Sequence, residues 1–196
     1  MWRSNRQPGD EVSFEVAVLA DARRVEALAE ALANVYRSAF CAPEYAETEA
    51  DVERFAADQL PTHAQRQGFR LSLAQEAGKL VGFAYGYTGE RGQWWTEHVA
   101  GLAPAHIVEK WVGGHFEFVE LAVATRAQRR GVGQRLHDAL LRDLHHDRAL
   151  LTTYARDLPA PRLYRRSGWE LLVDRLDERS SLYGLRLPYQ GGPAQF

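Results

Sequence analysis

Residues 118–133 read FVELAVATRAQRRGVG, and this stretch decides how the chain folds. The apolar run from Phe118 to Val123 predicts a strand, and the glycines Gly131 and Gly133 predict a turn into a helix that begins at Val132. The first turn of a helix leaves N–H groups unpaired and carries partial positive charge, and glycines let an anion approach this backbone closely. The order of strand, glycine loop and helix therefore predicts a phosphate-binding turn.

Three kinds of phosphate-binding loop have this order. A P-loop requires the pattern Gly-x-x-x-x-Gly-Lys-Ser/Thr, which the sequence lacks. A dinucleotide-binding loop requires a third glycine where Leu136 stands, and it belongs in an early β-α-β unit, which is not predicted here. The remaining pattern is Gln-x-x-Gly-x-Gly at residues 128–133.

The rest of the chain alternates between the two periodicities that distinguish strands from helices. Residues 77–79 are a short glycine-containing connection, which predicts a β-hairpin, and the strand-helix-strand order after residue 116 predicts parallel pairing. The sequence therefore predicts a mixed α/β sheet of about six to seven strands. The predicted strands cover residues 14–19, 69–76, 80–87, 116–123, 149–153, 169–172 and 181–187, and the predicted helices follow Asp21 and cover residues 48–66, 132–146 and 159–166.

Length and composition limit the classes of protein to which the chain can belong. The 196 residues suit one domain, 1–196, with loose termini at 1–11 and 188–196 and an insertion at 90–114. A net charge of −2 gives no electrostatic reason to expect nucleic acid or a membrane surface as partner. The start lacks the apolar stretch of a secretory signal, which predicts a cytoplasmic protein. Cys41 is the only cysteine, which excludes an intramolecular disulfide.

A second motif follows at residues 160–169, which read APRLYRRSGW. This segment resembles motif B of the GNAT superfamily of N-acetyltransferases, Ala-x-x-Leu-Tyr-x-x-x-Gly-Phe, with Trp169 in the aromatic place. Residues 128–133 resemble motif A of the same family, and the resemblance extends over residues 14–187. It implies a mixed sheet with helices on both faces, splayed between its central strands, with acetyl-CoA bound in the gap.

The resemblance also implies direct transfer of an acetyl group from acetyl-CoA to a primary amine. It assigns the cofactor diphosphate to the backbone of the glycine loop and the pantetheine amides to the preceding strand. Tyr164 takes the place of the family's general acid, and Asp157 stands where many relatives carry a cofactor-contacting asparagine. An ionised aspartate accepts hydrogen bonds but cannot donate them, so a contact with the cofactor and a cap of the helix ahead of Pro159 both remain open for Asp157. The implied cofactor-binding residues are Leu121, Ala122, Val123, Gln128, Arg129, Arg130, Gly131, Val132, Gly133, Gln134, Asp157 and Tyr164.

An amine nucleophile has a pKa near ~10.4, so the reaction needs a group that accepts its proton. Glu117 and Glu120 are the candidate bases, and regular strand alternation places their side chains on opposite faces of the sheet. Glu117 matches the position of the base in the histone-acetylating branch of the family and is the favoured candidate. Three alternatives remain open: a water molecule as the base, a proton relay through His115, and a purely structural ion pair of either carboxylate with an arginine.

Aromatic residues outside the motifs are candidates for the acceptor pocket, because aromatic rings attract cationic amines. Packing in the core is an equally good interpretation of them. Histidines 137, 145 and 146 lie near Asp138 and Asp143 on a predicted helix, where they are interpreted as a solvated face, so no metal is predicted. The candidate acceptor-binding residues are Phe40, Tyr45, Trp94, Trp95 and Trp111.

Three functions are compatible with these motifs. The first is acetylation of a small-molecule amine, and the second is acetylation of protein N-termini or lysines. The third is a sensor that binds acyl-CoA without turnover, against which the presence of Tyr164 and Glu117 argues. The sequence leaves both a monomer and a homodimer open.

Overall fold

The computed structural model describes residues 14–41, 45, 47–156 and 158–189. Within these ranges one sheet of seven strands has the order β1-β2-β3-β4-β5-β7-β6, which confirms the predicted mixed α/β fold. The strands are β1 (Glu15–Leu19), β2 (Arg70–Glu76), β3 (Lys79–Gly89), β4 (His115–Val123), β5 (Arg148–Tyr154), β6 (Glu170–Val173) and β7 (Ser180–Arg186). The helices are α1 (Ala22–Glu26), α2 (Ala29–Phe40), α3 (Glu49–Arg54), α4 (Leu60–Ala64), α5 (Trp94–Leu102), α6 (Ala105–Trp111), α7 (Val132–Leu141) and α8 (Pro159–Arg166).

The predicted hairpin is formed by β2 and β3. Ala77 and Gly78 connect these strands with positive φ angles of 48° and 73°. Two consecutive left-handed residues match the right-handed twist of antiparallel strands, which is why a glycine belongs in this turn. The hairpin places β3 next to β4, the strand that carries the phosphate-binding motif.

The predicted helix at residues 48–66 is present with an irregularity. Thr48 and Asp51 form a capping box at its start, in which each side chain accepts from the other residue's backbone N–H. A π-helical turn at Phe55–Gln59 then separates α3 from α4. This turn rotates the helix before α4 passes over β3, where His63 contacts Tyr85 and Tyr87.

Helices cover both faces of the sheet, as predicted. One buried cluster joins α1 to α4 with residues such as Leu71, Phe83 and Tyr85 of the sheet. A second cluster joins α7 and α8 to the opposite face, where Leu136 and Leu140 are fully buried. These two layers exclude water from the sheet and account for most of its apolar burial.

Two predicted boundaries are corrected. Helix α7 ends at Leu141 rather than at residue 146, and Asp143 after it adopts a left-handed φ of 56°. The predicted loose end from residue 188 begins too early, because the Tyr189 hydroxyl donates a hydrogen bond to Asp138 over 2.7 Å. The remainder of both predicted loose termini, 1–11 and 190–196, lies outside the described residues.

Residues 90–114 form the helices α5 and α6 on the far half of the sheet. Val99, Ile107 and Trp111 pack there with Leu150 of β5 and Leu182 of β7. This third cluster fixes the segment against the strands beyond β4. Among the helices of the described ranges, none has both the length and the apolar composition needed to cross a bilayer.

The pairing of β3 with β4 contains a bulge at Val119. Tyr85 lies opposite Glu120 whereas Gly86 lies opposite Phe118, so Val119 is the extra residue on β4. A bulge shifts the alternation of side chains by one position and increases the local twist. Across Val119, the side chains of β4 therefore do not alternate between the two faces of the sheet as they do in a regular strand.

The parallel pairing of β4 with β5 is short. Phe116 lies opposite Ala149 and Glu117 opposite Leu150, and within the described ranges no further pairs join these two strands. β5 continues to pair with β7 up to Tyr154, and β4 continues to pair with β3 up to Val123. The sheet is therefore splayed between its central strands beyond Glu117.

We expect Gly86→Ala to destabilise the protein by about 2 kcal/mol or more. A Cβ atom at this position would lie 2.3 Å from the Glu117 carbonyl oxygen and 2.6 Å from the Phe116 ring, so the bulge would have to open. Thermal unfolding measures the effect. Gly101→Ala is the matched control, since its Cβ meets no atom within 4 Å and alanine favours helix α5. Equal melting temperatures for the two variants would contradict this account of the bulge.

Candidate active site

The splayed edge of β4 forms one wall of the candidate site. Beyond Glu117, the side of β4 that faces β5 has no strand partner among the described residues, and Leu121 and Val123 are half-buried there. Backbone N–H and C=O groups are strong hydrogen-bonding groups that need partners when buried. Two are already satisfied, because the Gln128 side-chain amide donates to the Val123 carbonyl oxygen over 3.0 Å and the Leu121 N–H donates to Oε1 of Glu120 over 3.2 Å. The remaining edge can accept an extended ligand with amide groups.

The glycine loop after β4 has the backbone shape that an anion site requires. Arg129 and Gly131 both adopt left-handed φ angles, of 59° and 79°. Gly131 is the N-cap of α7, and the first turn of this helix contains no acidic residue. Its N–H groups and the positive end of its dipole therefore meet no competing carboxylate from the helix itself.

Arginine side chains surround the same loop. Arg126 and Arg130 both form ion pairs with Glu76 of β2, over 3.2 Å and 2.6 Å. These contacts fix the direction of two otherwise flexible guanidinium groups. Arg129 is exposed beside them. The loop thus presents backbone donors and guanidinium groups together, which is the donor set that a phosphate prefers.

Tyr164 of α8 lies against the face of β4 opposite α2. Its ring contacts Phe118 and Trp169 edge-on, with centroid distances of 5.8 Å to both. Burial raises the pKa of its hydroxyl far above the usual value, and the charge of Glu120 raises it further. Tyr164 is therefore protonated at neutral pH.

A buried hydrogen-bond network fixes the layer around Tyr164. The Trp169 indole N–H donates to Nε2 of His137, whose Nδ1 lies 2.9 Å from an Asp138 carboxylate oxygen. The Gln134 side-chain amide donates to Asp138 and to Ser167. His137 was predicted to lie on a solvated face, which is wrong, because it is fully buried. The side chain of Gln134 is engaged in this network instead of facing the glycine loop.

The bulge at Val119 places Glu117 and Glu120 on the same face of the sheet. Their cross-strand neighbours are Tyr87 and Tyr85, two residues apart on β3 and both in the layer below α4. The prediction that the carboxylates point to opposite faces is therefore wrong, because it assumed an unbroken alternation.

Glu117 is 3% exposed. The Tyr87 hydroxyl donates to its Oε1 over 2.8 Å. Its Oε2 is buried and has no hydrogen-bond partner within the part of the chain that the structure describes. Burial raises the pKa of Glu117 to about 7, opposed by the Tyr87 hydrogen bond and the Arg66 charge. This carboxyl group can take up or release a proton near neutral pH.

Glu120 lies at the start of the splay. The backbone N–H of Leu121 donates to its Oε1 over 3.2 Å. Burial raises the pKa of Glu120 to about 8, the Leu121 contact lowers it, and the charge of Glu47 adds to the rise. Because Glu120 also raises the pKa of Tyr164, the two groups lie within electrostatic reach of each other across the splay.

A cleft of about 610 Å³ opens onto Glu117. Trp95 forms part of its wall and donates its indole N–H to Thr152 of β5 over 3.2 Å. Trp94 stacks on His98 with a centroid distance of 5.2 Å and is 74% exposed at the rim. The lining residues are Arg54, Asp58, Gln59, Thr62, His63, Arg66, Tyr87, Trp94, Trp95, Glu117 and Val119.

A second cleft of about 710 Å³ lies next to the first, and Arg54 lines both. Tyr45 contributes to it and contacts Phe40 and Tyr154 at centroid distances of 5.3 Å and 5.8 Å. Trp111 is instead a core residue, buried at 1% exposure with Arg186 over its ring. The predicted set of aromatic residues is therefore divided between two clefts and the core.

Sequence reasoning missed His63, Arg66 and Tyr87, which lie in the Glu117 cleft. The alternation of side chains along residues 80–87 places Tyr85 and Tyr87 on one face of the strand, and this pattern could have identified Tyr87 as a site residue. Asp157, a predicted cofactor contact, lies outside the described residues. Among the described residues, no group of three or more His, Cys, Asp or Glu side chains is arranged to hold a metal ion.

Comparisons with known proteins agree with this geometry. Residues 29–169 match the family described as "Acetyltransferase (GNAT) family". The chain is 38% identical over 102 residues to the "GCN5-like protein acetyltransferase Rv2170" of Mycobacterium tuberculosis. That alignment covers 48% of this chain and 50% of the relative, so the chain spans about half the length of the curated relative that it matches.

Solved structures share the fold at low sequence identity. PH1933 from Pyrococcus horikoshii OT3 superposes with a TM-score of 0.64 at 17% identity, covering 88% of this chain and 99% of that one. The PaiA N-acetyltransferase from Thermoplasma acidophilum, solved in complex with coenzyme A, gives 0.58 at 11% identity, with coverages of 89% and 99%. Aminoglycoside 6'-acetyltransferase type Ii gives 0.57 at 15%, with coverages of 88% and 96%.

The family match covers well over half of the chain, and it includes the splayed strand β4 and the glycine loop. The described sheet has the mixed seven-stranded arrangement shared with these structures. The chain therefore belongs to the GNAT family of acetyltransferases, which use acetyl-CoA.

Proposed function

We propose that this protein transfers the acetyl group of acetyl-CoA directly to a primary amine of a small molecule. Glu117 accepts the proton of the amine, and Tyr164 donates a proton to the departing sulfur. The observation that carries this proposal is the buried, unpartnered Oε2 of Glu117 in a cleft walled by Trp94 and Trp95.

The residues present fit the cofactor. The edge of β4 at Leu121, Ala122 and Val123 has no strand partner toward β5 among the described residues, and its backbone groups that the Glu120 and Gln128 side chains leave unengaged suit the amides of pantetheine. The loop of residues 128–134, with Gln128, Arg129, Arg130, Gly131, Val132 and Gly133, offers backbone N–H groups and guanidinium groups that suit a diphosphate. Acetyl-CoA supplies an acetyl group activated as a thioester.

Glu117 has the acidity that a general base needs at neutral pH. Its pKa of about 7 leaves a large fraction ionised while keeping it basic enough to remove a proton. The removed proton leaves the amine nitrogen and is held at Oε2, since Oε1 already accepts from Tyr87. Glu120, on the same face, is the second candidate for this role.

Tyr164 is suited to donate a proton, whereas Glu117 is suited to accept one. The raised pKa of Tyr164 keeps the phenolic proton in place at neutral pH, so the hydroxyl is available as a donor to the departing sulfur. Its contact with Phe118 holds the ring against the part of β4 that has left β5. Tyr164 and Glu120 influence each other electrostatically, which supports a shared reaction space in the splay.

The Glu117 cleft offers aromatic and acidic groups to an amine acceptor. The faces of Trp94 and Trp95 attract a positive charge, and Glu117 and Asp58 add negative charge beside the guanidinium groups of Arg54 and Arg66. A volume of about 610 Å³ suits a small molecule.

A protein acceptor is the second candidate function. The name of the M. tuberculosis relative describes it as a protein acetyltransferase. Arg54 also lines both clefts, and a protein segment is large enough to contact the two together.

We expect Glu117→Gln to lower kcat/KM about a hundredfold or more, because the amide cannot accept the proton. Tyr164→Phe lowers kcat more than acetyl-CoA affinity, because it removes the proton donor and keeps the ring. Thiol release over a panel of small amines and lysine peptides measures both and identifies the acceptor class. Glu26→Gln, exposed on α1, is the control. A full rate in Glu117→Gln with loss in Glu120→Gln would transfer the role to Glu120, and faster peptide acetylation would favour the second candidate.

We expect Gly131→Val to weaken acetyl-CoA binding about tenfold or more, because a β-branched side chain disfavours the left-handed φ and blocks approach to the N–H groups. Calorimetry measures the affinity. Gly78→Val is the matched control, because this hairpin residue has a similar φ of 73° and its Cβ would also meet no atom within 4 Å. The control loses stability but keeps cofactor affinity. Unchanged affinity in Gly131→Val would place the diphosphate elsewhere.

A further inference from the structure

A chain of two hydrogen bonds leads to Glu117 from the turn after α4, which is distant from Glu117 in sequence. The Arg66 guanidinium donates to the Tyr87 hydroxyl oxygen, and the Tyr87 hydroxyl donates to Oε1 of Glu117 over 2.8 Å. The guanidinium also lies 4.5 Å from the centroid of the Tyr87 ring. All three side chains line the same cleft.

The direction of this chain is fixed by its first member. An arginine side chain has donors and no acceptor, and it stays protonated in proteins. The Tyr87 oxygen therefore accepts from Arg66, and its single proton points to Glu117. The chain cannot carry a proton away from Glu117, since Arg66 has no lone pair to receive one.

The geometry of Tyr87 leaves it little freedom. It lies directly opposite Glu117 in the pairing of β3 with β4 and is 1% exposed. The His63 ring packs on it with a centroid distance of 4.9 Å. A fixed phenol holds Oε1 of Glu117 in one place, which leaves Oε2 as the oxygen without a partner in the described structure.

We propose that Arg66 and Tyr87 are positioning residues that hold the Glu117 carboxylate with Oε2 free toward the acceptor. This inference rests on the proposed function, in which Glu117 receives the proton of the amine. Neither residue belongs to the two motifs of the family resemblance, and neither is required to touch the reacting atoms.

The same contacts set the charge of Glu117. Burial raises its pKa to about 7, and the Tyr87 hydrogen bond and Arg66 charge hold it there against a further rise. The other titratable groups around the cleft are Arg54 and Asp58 at its rim, His63 of α4, and His115 and Glu120 on β4 itself. Burial lowers the pKa of His63 to about 4 and of His115 to about 3, so both are neutral at pH 7.

The test is the pH dependence of Tyr87→Phe, which keeps the ring and removes the hydroxyl. A base must be ionised, so kcat/KM falls as pH drops through its pKa, near 7 in the native protein. Loss of the hydrogen bond to the ionised carboxylate raises the pKa of Glu117. The acidic limb of the kcat/KM profile therefore moves to a higher pH by about one unit. At pH 7 we expect kcat to fall about fivefold, because the ionised fraction of Glu117 falls from about one half to about one tenth, with unchanged KM for acetyl-CoA. Arg66→Met moves the acidic limb of the pH profile in the same direction. The double variant of Arg66→Met and Tyr87→Phe has a pH profile close to that of Tyr87→Phe alone.

Tyr85→Phe is the matched control. It removes a buried hydroxyl from the same face of β3, one that contacts His63 Nδ1 at 3.0 Å and not Glu117. We expect a similar loss of melting temperature and an unshifted pH profile. Carbon-13 NMR titration of the glutamate carboxyl groups, with Glu117→Gln for assignment, gives a readout independent of turnover.

The outcomes separate the inference from the proposed function. An unshifted Glu117 titration and pH profile in Tyr87→Phe would overturn the positioning role. Full activity of Glu117→Gln would instead overturn the role of Glu117 as base, whatever the NMR titration shows. A shifted titration in Tyr87→Phe and not in Tyr85→Phe supports the inference.

Discussion

The separation of β4 from β5 after Glu117 is the constraint on which the rest of the site depends. Two adjacent parallel strands of one sheet normally continue their ladder, and here the pairing stops after Phe116 and Glu117. Each strand keeps its other neighbour, so the sheet remains intact on both sides of the gap. The fold thereby provides an unpaired backbone edge in its interior, which a ligand with amide groups can complete.

The bulge at Val119 determines which side chains meet at that gap. It brings Glu117 and Glu120 to one face, where each lies opposite a buried tyrosine of β3. Burial makes both carboxyl groups weaker acids, with pKa values of about 7 and 8. Ionising such groups costs folding free energy as the pH rises above their usual range, since their folded pKa is raised. The burial of these two carboxyl groups therefore lowers the stability of the folded protein, and it does so at the proposed site of proton transfer.

Much of this architecture could be predicted from the sequence, because periodicity and turn residues act locally. The hairpin at Gly78 and the helix start at Gly131 follow from φ angles that only a few residues adopt easily. The bulge could not be predicted, since it depends on the close approach of β3 and β4 at Gly86. The burial of His137 and the contact of Arg66 with Tyr87 depend on partners more than twenty residues away. Such contacts leave no periodic signal.

Amide hydrogen exchange with and without coenzyme A tests the central claim most directly, because it reports on backbone groups rather than on turnover. The account predicts slower exchange at residues 118–123 and 131–134 when coenzyme A is bound, with little change in the outer strand β1. Unchanged exchange at residues 118–123 under saturating coenzyme A would contradict the claim that the gap between β4 and β5 holds the cofactor.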